Sequence, residues 1–473
     1  MKQVKRALAL LLAATLMFAL AACGSGGETS TDAPSAAPTG SPANSAPASG
    51  DKVTISYWTT NRHDMEYMTP LIDQFNAESD HIYIDYQVYA DNYAQMLDLA
   101  FSTNSAPDVF QLGSADPLEV QVKEKHMLMG LSQFMTDEDY ARFEDGAFVE
   151  GINSFDGVIY SFPYTASACR LFYNQDIFDR VGISGPPKTL DELVEYATRV
   201  TEQLSGEGIY GFAANYKSAM SSVARTIDMV NSRSGGNRSG YDYANGRYDF
   251  STYKPVLEAF KQLFAGGIAF PGCESLDIDP LRTQFADGKI AMYMSMTHSE
   301  PGVYANQFPT DQNWNCAQMP SISGNVDGKQ PLWFGGSQLA INANTPYPDE
   351  AWEVFQFLHS DEVMSGYHSA GLGTVMIPSA VEKATPPAAI ANMPDLEINS
   401  DDVVYPLAPQ TVVVEGKDYY TVMVECIFGM TDIDAAIEDL NTRYNAAYDK
   451  EVEKGADRII YPNFTPLNQD TTK

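Results

Sequence analysis

The stretch VTISYWTTNRHDMEYMTPLIDQFNAESDHIYIDYQV, residues 53–88, decides the fold class. Val53, Ile55 and Tyr57 alternate with polar residues and predict a short strand that gives way at Trp58 to the polar loop Thr59 to Asp64. Tyr67, Met68, Leu71, Ile72 and Phe75 recur at helical spacing, and Ile82, Ile84, Tyr86 and Val88 return to a period of two. Beyond this stretch, Tyr93 to Phe101 predicts a second helix and Asp108 to Leu112 a third strand closed by Gly113. Strands alternating with helices build βαβ units, so the class is α/β with a parallel sheet. Open sheets of this kind bind ligands beyond the carboxyl ends of their strands. Here those ends are Trp58 to Asp64 and Gln111 to Asp116.

The same periodicities continue downstream. Thr189, Leu190, Asp191 and Glu192 form a capping box ahead of a helix carrying Leu193, Val194, Ala197, Val200 and Leu204 on one face. Ile209 to Ala213 predicts a strand, and Asn231 to Gly246 a loop without periodicity. Further helices are predicted over Pro255 to Phe264, from Pro348 through Leu358, and along Ile433, Ile437, Leu440, Tyr444 and Ala447.

At the start of the chain, Lys2, Lys5 and Arg6 precede the apolar run Ala7 to Ala22, the layout of an export signal over residues 1–22. Leu20, Ala21, Ala22 and Cys23 resemble a lipobox, in which the cysteine is diacylated and becomes the first residue of the mature protein. Two acyl chains suffice for stable membrane anchoring. Of the 27 residues from Gly24 to Gly50, 24 are Ala, Gly, Pro, Ser or Thr, so residues 23–50 are expected to be an anchored, flexible tether.

The 473 residues include 62 Asp and Glu against 29 Lys and Arg, a net charge of −33. That excess argues against nucleic acid, which is bound by clustered cations. After residue 22 no apolar run approaches the roughly 20 residues needed to span a bilayer.

Catalytic and cofactor motifs are lacking in the sequence. Ser251 to Lys254 matches Ser-x-x-Lys without its companion motifs, and Pro255 makes Ser251 an entry into a helix. The six histidines are scattered, with no metal-ligand spacing, so neither metal nor cofactor is expected. Cys169, Cys273, Cys316 and Cys426 are an even number in an exported chain and are compatible with one or two disulfides or with buried thiols.

A series of segments stands in fixed order: Ile159 to Tyr164; Leu171 to Asn174; Phe178, Gly182, Pro186, Pro187 and Thr189 to Leu193; Phe285, Gly288, Lys289, Ala291 and Met292; Gly335, Gly336 and the strand to Ile341; then Ala351, Trp352, Phe355 and Leu358. Over residues 51–455 this order resembles extracellular solute-binding protein family 1, the maltose-binding-like receptors of ABC importers. The resemblance implies a type II periplasmic-binding-protein-like fold of two α/β lobes, each a mostly parallel sheet flanked by helices, joined by a multi-segment hinge. Mapped onto this chain, the N-terminal lobe comprises residues 51–163 and 318–345, and the C-terminal lobe residues 164–317 and 346–473. It also implies a monomer that closes around a mono- or oligosaccharide and delivers it to a membrane permease.

A sugar offers an apolar C–H face and a rim of hydroxyls, which suit aromatic rings and side chains that accept and donate. The expected ligand residues are Trp58, Asn61, Asp64, Gln111, Asp116, Tyr164, Asn215, Tyr216, Ser295, Trp333 and Gly335. Trp314 and Trp352 are expected in the core, and Asp108 is expected to brace backbone amides. Glucan-binding relatives carry a Gly and a Trp where this chain has Ser295 to Glu300, which implies a smaller or more polar saccharide. Two other readings remain open: a receptor of the same fold for a polyamine or peptide, and a secreted glycoside hydrolase, which needs two carboxylates about 5 to 10 Å apart.

Overall fold

The computed structural model describes residues 52–89, 92–113, 117–143, 147–297, 299–332, 338–385, 392–409 and 412–471. Asp116, Trp333, Gly335 and Cys23 lie outside them, as do the export signal and the tether. The first βαβαβ run is β1 (Val53–Thr59), α1 (Met65–Glu78), β2 (Ile82–Val88), α2 (Tyr93–Ser102) and β3 (Val109–Gln111). It is followed by β4 (Thr165–Ala166), β5 (Cys169–Asn174), α3 (Leu190–Leu204), α4 (Ala219–Arg225), α5 (Ile227–Arg233), α6 (Lys254–Phe264) and α7 (Ile278–Ala286). Then come β6 (Met292–Met296), β7 (Trp314–Ala317), β8 (Gln330–Pro331), β9 (Leu339–Ile341), α8 (Pro348–Leu358), α9 (Asp361–Ser369) and β10 (Thr374–Val375). The last elements are β11 (Asp402–Val403), α10 (Tyr419–Ile427) and α11 (Ile433–Glu453).

In the first sheet β1 lies between β2 and β3, parallel to both, and β9 pairs antiparallel with β3. The alternation expected of β1 is observed: Ile55 and Tyr57 are buried and Thr54 is exposed. Asp108 braces this sheet, accepting from the Ser56 amide at 2.9 Å and from the hydroxyls of Ser56 at 2.7 Å and Thr345 at 2.6 Å.

The second sheet departs from a mostly parallel design. β5 lies between β6 and β7 and is antiparallel to both. Parallel pairing survives at its edge, where the segment expected to be a strand at 209–213 forms only bridges from Tyr210 to Ile290 and from Ala213 to Tyr293. Gly211 belongs to that edge by necessity, since a Cβ there would lie 2.1 Å from the Ala197 carbonyl oxygen of α3. The capping box of α3 is present in full, with Thr189 and Glu192 each serving the other's amide. Residues 231–246 are more ordered than expected: α5 runs to Arg233, and Tyr241–Asp242 pairs antiparallel with Arg247–Tyr248 across a turn closed by Gly246, whose φ is 64°.

Two principal apolar cores stand out among the described residues. The larger gathers side chains from β5, α3, α6, β6, α10 and α11. The other joins β1, β2 and β9 to α8 and α9, through Trp352, Phe355, Leu358, Val363, Met364 and Tyr367. This corrects the expected boundary at residue 346. By packing, residues 351–380 belong to the first lobe, because α8 follows β9 directly and turns its apolar face back onto the sheet it has just left. Trp352 is core, as its helical stripe implied, and Trp314 packs on Phe172 and Tyr304. Cys169, Cys273, Cys316 and Cys426 are all free and buried, which settles the open alternatives in favour of thiols. Burial pushes the first three thiols up to about 12 and Cys426 to about 11.

Between the cores, β4 pairs with β10 and β8 with β11. One ion pair fastens this region. Arg170 and Asp402 are wholly buried, 2.6 Å apart, and Arg170 also donates to the carbonyls of Cys169, Asp395 and Glu397. Removing one partner of such a pair strands the other charge in the interior. Asp402→Asn should therefore lower unfolding stability by about 3 to 5 kcal/mol, and Arg170→Met combined with Asp402→Leu should recover most of that loss. Denaturant titration of the single and double variants checks this, and equal losses in both would contradict it.

Candidate functional site

The loop after β1 is held by a single carboxamide. Gln111 Oε1 accepts from the Thr59 hydroxyl at 2.7 Å, the Thr60 amide at 2.8 Å and the Thr60 hydroxyl at 3.1 Å. Gln111 is thus a brace for the loop, not the ligand contact expected. The loop continues through the buried Asn61 to His63 and Asp64, where α1 begins.

Asp64 occupies the N-cap position but makes no capping hydrogen bond. An N-cap carboxylate ordinarily accepts from amides of the first turn. Here one oxygen accepts from the Tyr367 hydroxyl at 3.1 Å, and the other, Oδ1, is sealed from solvent with no hydrogen-bond partner. The residue is 4% exposed, and burial pushes its carboxyl up to about 7, against the weaker pull of hydrogen bonds from Tyr367 and Asn61. Tyr57, Tyr86, Tyr164 and Tyr367 share its electrostatic surroundings, and the Tyr86 hydroxyl is a second buried polar atom without a partner. Rings 57 and 86 stack 5.2 Å apart at paired register positions of β1 and β2. His63 Nε2 lies 3.2 Å from both the Tyr367 hydroxyl and the Leu372 carbonyl, and burial depresses its imidazole to about 4.

The second lobe meets this cluster directly. Arg62 pairs with Asp279 of α7 at 2.9 Å, and His63 feels the charges of Arg282 and Glu300. Arg282 donates to Glu300 at 2.8 and 3.1 Å, with both side chains almost wholly buried.

The expected ligand residues divide into several groups. Asn61, Asp64 and Tyr164 come together in the tyrosine cluster, the Tyr164 ring standing edge-on to His359 at 4.9 Å. Trp58 is half-buried, its ring 4.6 Å from Tyr89, so it is neither sealed core nor a free platform. Tyr216 and Ser295 are not presented to a ligand. Tyr216 packs edge-on against Phe264 and Phe428, with its hydroxyl on Thr226, and Ser295 is fully buried, donating to Glu300 at 2.5 Å. Asn215 is buried, with its carbonyl taken by the Ser222 hydroxyl. His63, Tyr86, Arg282, Glu300 and Tyr367 were not anticipated. A run of polar residues after a strand points to His63, but nothing local signals a tyrosine some 300 positions away.

A family model described as bacterial extracellular solute-binding protein matches residues 59–365, well over half of the chain. The chain belongs to that family. This solute-binding protein is 25% identical over 317 residues to the sn-glycerol-3-phosphate-binding periplasmic protein UgpB of Brucella melitensis, covering 64% of this chain and 70% of that one. It is 22% identical over 322 residues to the melibiose/raffinose/stachyose-binding protein MelE of Bacillus subtilis, covering 65% and 70%. Among solved structures, it resembles an ABC transporter solute-binding protein of Thermotoga lettingae bound with alpha-D-tagatose, with a TM-score of 0.67 at 19% identity over 83% of this chain and 99% of that one. The family places the protein outside the cytoplasm, and the two-lobed type II fold is shared.

The buried carboxyl of Asp64 has a measurable signature. Its folded value, about 7, lies above the roughly 3.9 of an unfolded Asp. Between those values the folded state holds the extra proton, so this group's contribution to stability falls as pH rises from about 4 to 7. His63, depressed to about 4, works in the opposite sense up to about pH 6.5, which makes the difference between variant and parent the quantity to read. Asp64→Asn should match the parent's melting temperature near pH 4 and exceed it at pH 8. A constant offset across that range would contradict the assignment.

Proposed function

We propose that the protein is the substrate-binding lipoprotein of an ABC importer, which captures a carbohydrate between its lobes and hands it to a membrane permease without chemistry of its own. The observation that carries the ligand class is the tyrosine cluster around Asp64, with two buried polar atoms, Asp64 Oδ1 and Tyr86 Oη, lacking partners. Buried polar groups are ordinarily satisfied, and a sugar supplies hydroxyls to both while its C–H face lies on the rings. MelE and the tagatose-bound structure support this reading, since both carry sugars in their descriptions. Cys23 is the acylated anchor in this proposal, residues 24–50 are the tether, and the receptor acts as a monomer. Trp58, Asn61, Asp64 and Tyr164 contact the sugar, together with Asp116, Trp333 and Gly335. Closure on the ligand is a hinge motion between the lobes.

A melting screen across neutral and acidic mono- and oligosaccharides tests the proposal. A true ligand at 100 times its Kd should add about 2.7 kcal/mol of stability, with no new reducing ends and with the gain reduced in Asp64→Asn and Trp58→Ala. A screen without any stabilising sugar, or one that shows hydrolysis, overturns it. Cys23→Ala should move the protein from the membrane fraction to the medium or periplasm.

A further inference from the structure

We infer that the two lobes close on a seam that needs no sugar to bridge it: the Arg62–Asp279 ion pair fastens one point, and the bare Cα of Gly302, seated against His63 and Leu372, sets how far the lobes approach.

The seam joins two separately packed bodies. Arg62 and His63 lie on the loop between β1 and α1, and Leu372 follows α9. β1, α1, α9 and Leu372 itself all contribute to the core around Trp352 and Phe355. Asp279 stands in the first turn of α7, and Gly302 immediately precedes Val303 and Tyr304. Leu281 and Phe285 of α7, with Val303 and Tyr304, sit in the larger core. Contacts between these two sets of residues cross from lobe to lobe, and a hinge motion that parts the lobes breaks them.

The first contact is electrostatic. Arg62 Nη2 lies 2.9 Å from an Asp279 oxygen, with both side chains partly exposed. The second is steric. Gly302 is buried, with φ −67° and ψ −36°, helical values open to any residue, so its own backbone does not call for glycine. The opposite lobe does. A Cβ at 302 would lie 3.3 Å from Leu372 Cδ2 and 4.0 Å from the His63 carbonyl oxygen. Both of those atoms belong to the first lobe.

Each half of the seam is braced from behind. Asp279 also pairs with Arg282 at 3.3 Å, and Arg282 holds Glu300, close to Gly302 in the chain, at 2.8 Å. On the other side Gln111 ties down Thr59 and Thr60, and His63 Nε2 lies 3.2 Å from the Leu372 carbonyl. The two points on each lobe therefore move together, and closure docks surfaces that are already formed. A partly exposed ion pair shifts an equilibrium by about two- to fivefold and is weakened by salt, so Arg62 tunes the closed population without locking it. A branched side chain at 302 leaves no such balance, because it fills the space the first lobe occupies on closure.

Spin labels at Glu66→Cys on α1 and Asp287→Cys after α7 report the lobe separation beside the seam by double electron–electron resonance, in the full chain carrying Cys23→Ala. Both positions are exposed and the native thiols at 169, 273, 316 and 426 are buried, so the introduced cysteines take the labels. Without sugar the parent should show a short-distance population, and Arg62→Gln should lower the ratio of short to long distances about two- to fivefold. In an Asp279→Asn background Arg62→Gln should add nothing further. Raising salt from about 50 to about 500 mM should cost the parent more of its short-distance population than it costs Arg62→Gln, a comparison that cancels the general repulsion of an acidic chain. Gly302→Leu should abolish the short distances and Gly302→Ala should reduce them, with folding checked by circular dichroism. A parent that shows only the long distance without sugar overturns the inference. So does a folded Gly302→Leu, or a Gly302→Ala should leucine prevent folding, that keeps the parent's distances. An Arg62→Gln distribution equal to the parent's at both salts overturns the electrostatic half. None of these outcomes depends on which solute the protein carries, so the sugar reading stands or falls by the melting screen alone.

Discussion

One amide oxygen governs the geometry of the loop after β1. Gln111, at the end of β3, accepts three hydrogen bonds from Thr59 and Thr60 and so ties the chain leaving β1 to the neighbouring strand. Parallel strands present their carboxyl ends at one edge, and the backbone there must turn without ladder partners. Fixing that turn sets where Arg62, His63 and Asp64 emerge, and hence which groups of the second lobe they meet. The loop is therefore a rigid platform, and a rigid platform holds a ligand with little ordering cost.

The platform borders groups whose hydrogen-bonding capacity the fold leaves unused. Asp64 forgoes the capping bond its position invites, and its second oxygen stays unsatisfied in a buried setting. Local inconsistency of this kind is expected where function overrides folding economy. The opposite treatment is given to Arg170 and Asp402, which are saturated with hydrogen bonds and lie among the segments linking the cores.

Legibility in the sequence tracked the range of the interaction. The α/β class, the capping box of α3, the helices after Pro348 and at the C-terminus, and the core placement of Trp352 all follow from periodicities within about twenty residues. The site was legible only in part. Asn61, Asp64 and Tyr164, read from strand ends and loop polarity, which are local signals, do lie in one cluster. Ser295 and Tyr216 were misassigned because their neighbours, Glu300 and the Phe264 and Phe428 rings, decide whether a polar tip faces ligand or core. The lobe boundary failed for a related reason: whether α8 packs forward or back depends on which sheet its stripe matches, which no window reveals.

The four sealed sulfurs carry a consequence for biogenesis. Thiols held protonated by burial are poor nucleophiles and poor targets for oxidants or exchange partners. Among the described residues, then, the fold owes nothing to disulfide-forming machinery, and its cysteines leave it indifferent to whether its surroundings are reducing or anaerobic.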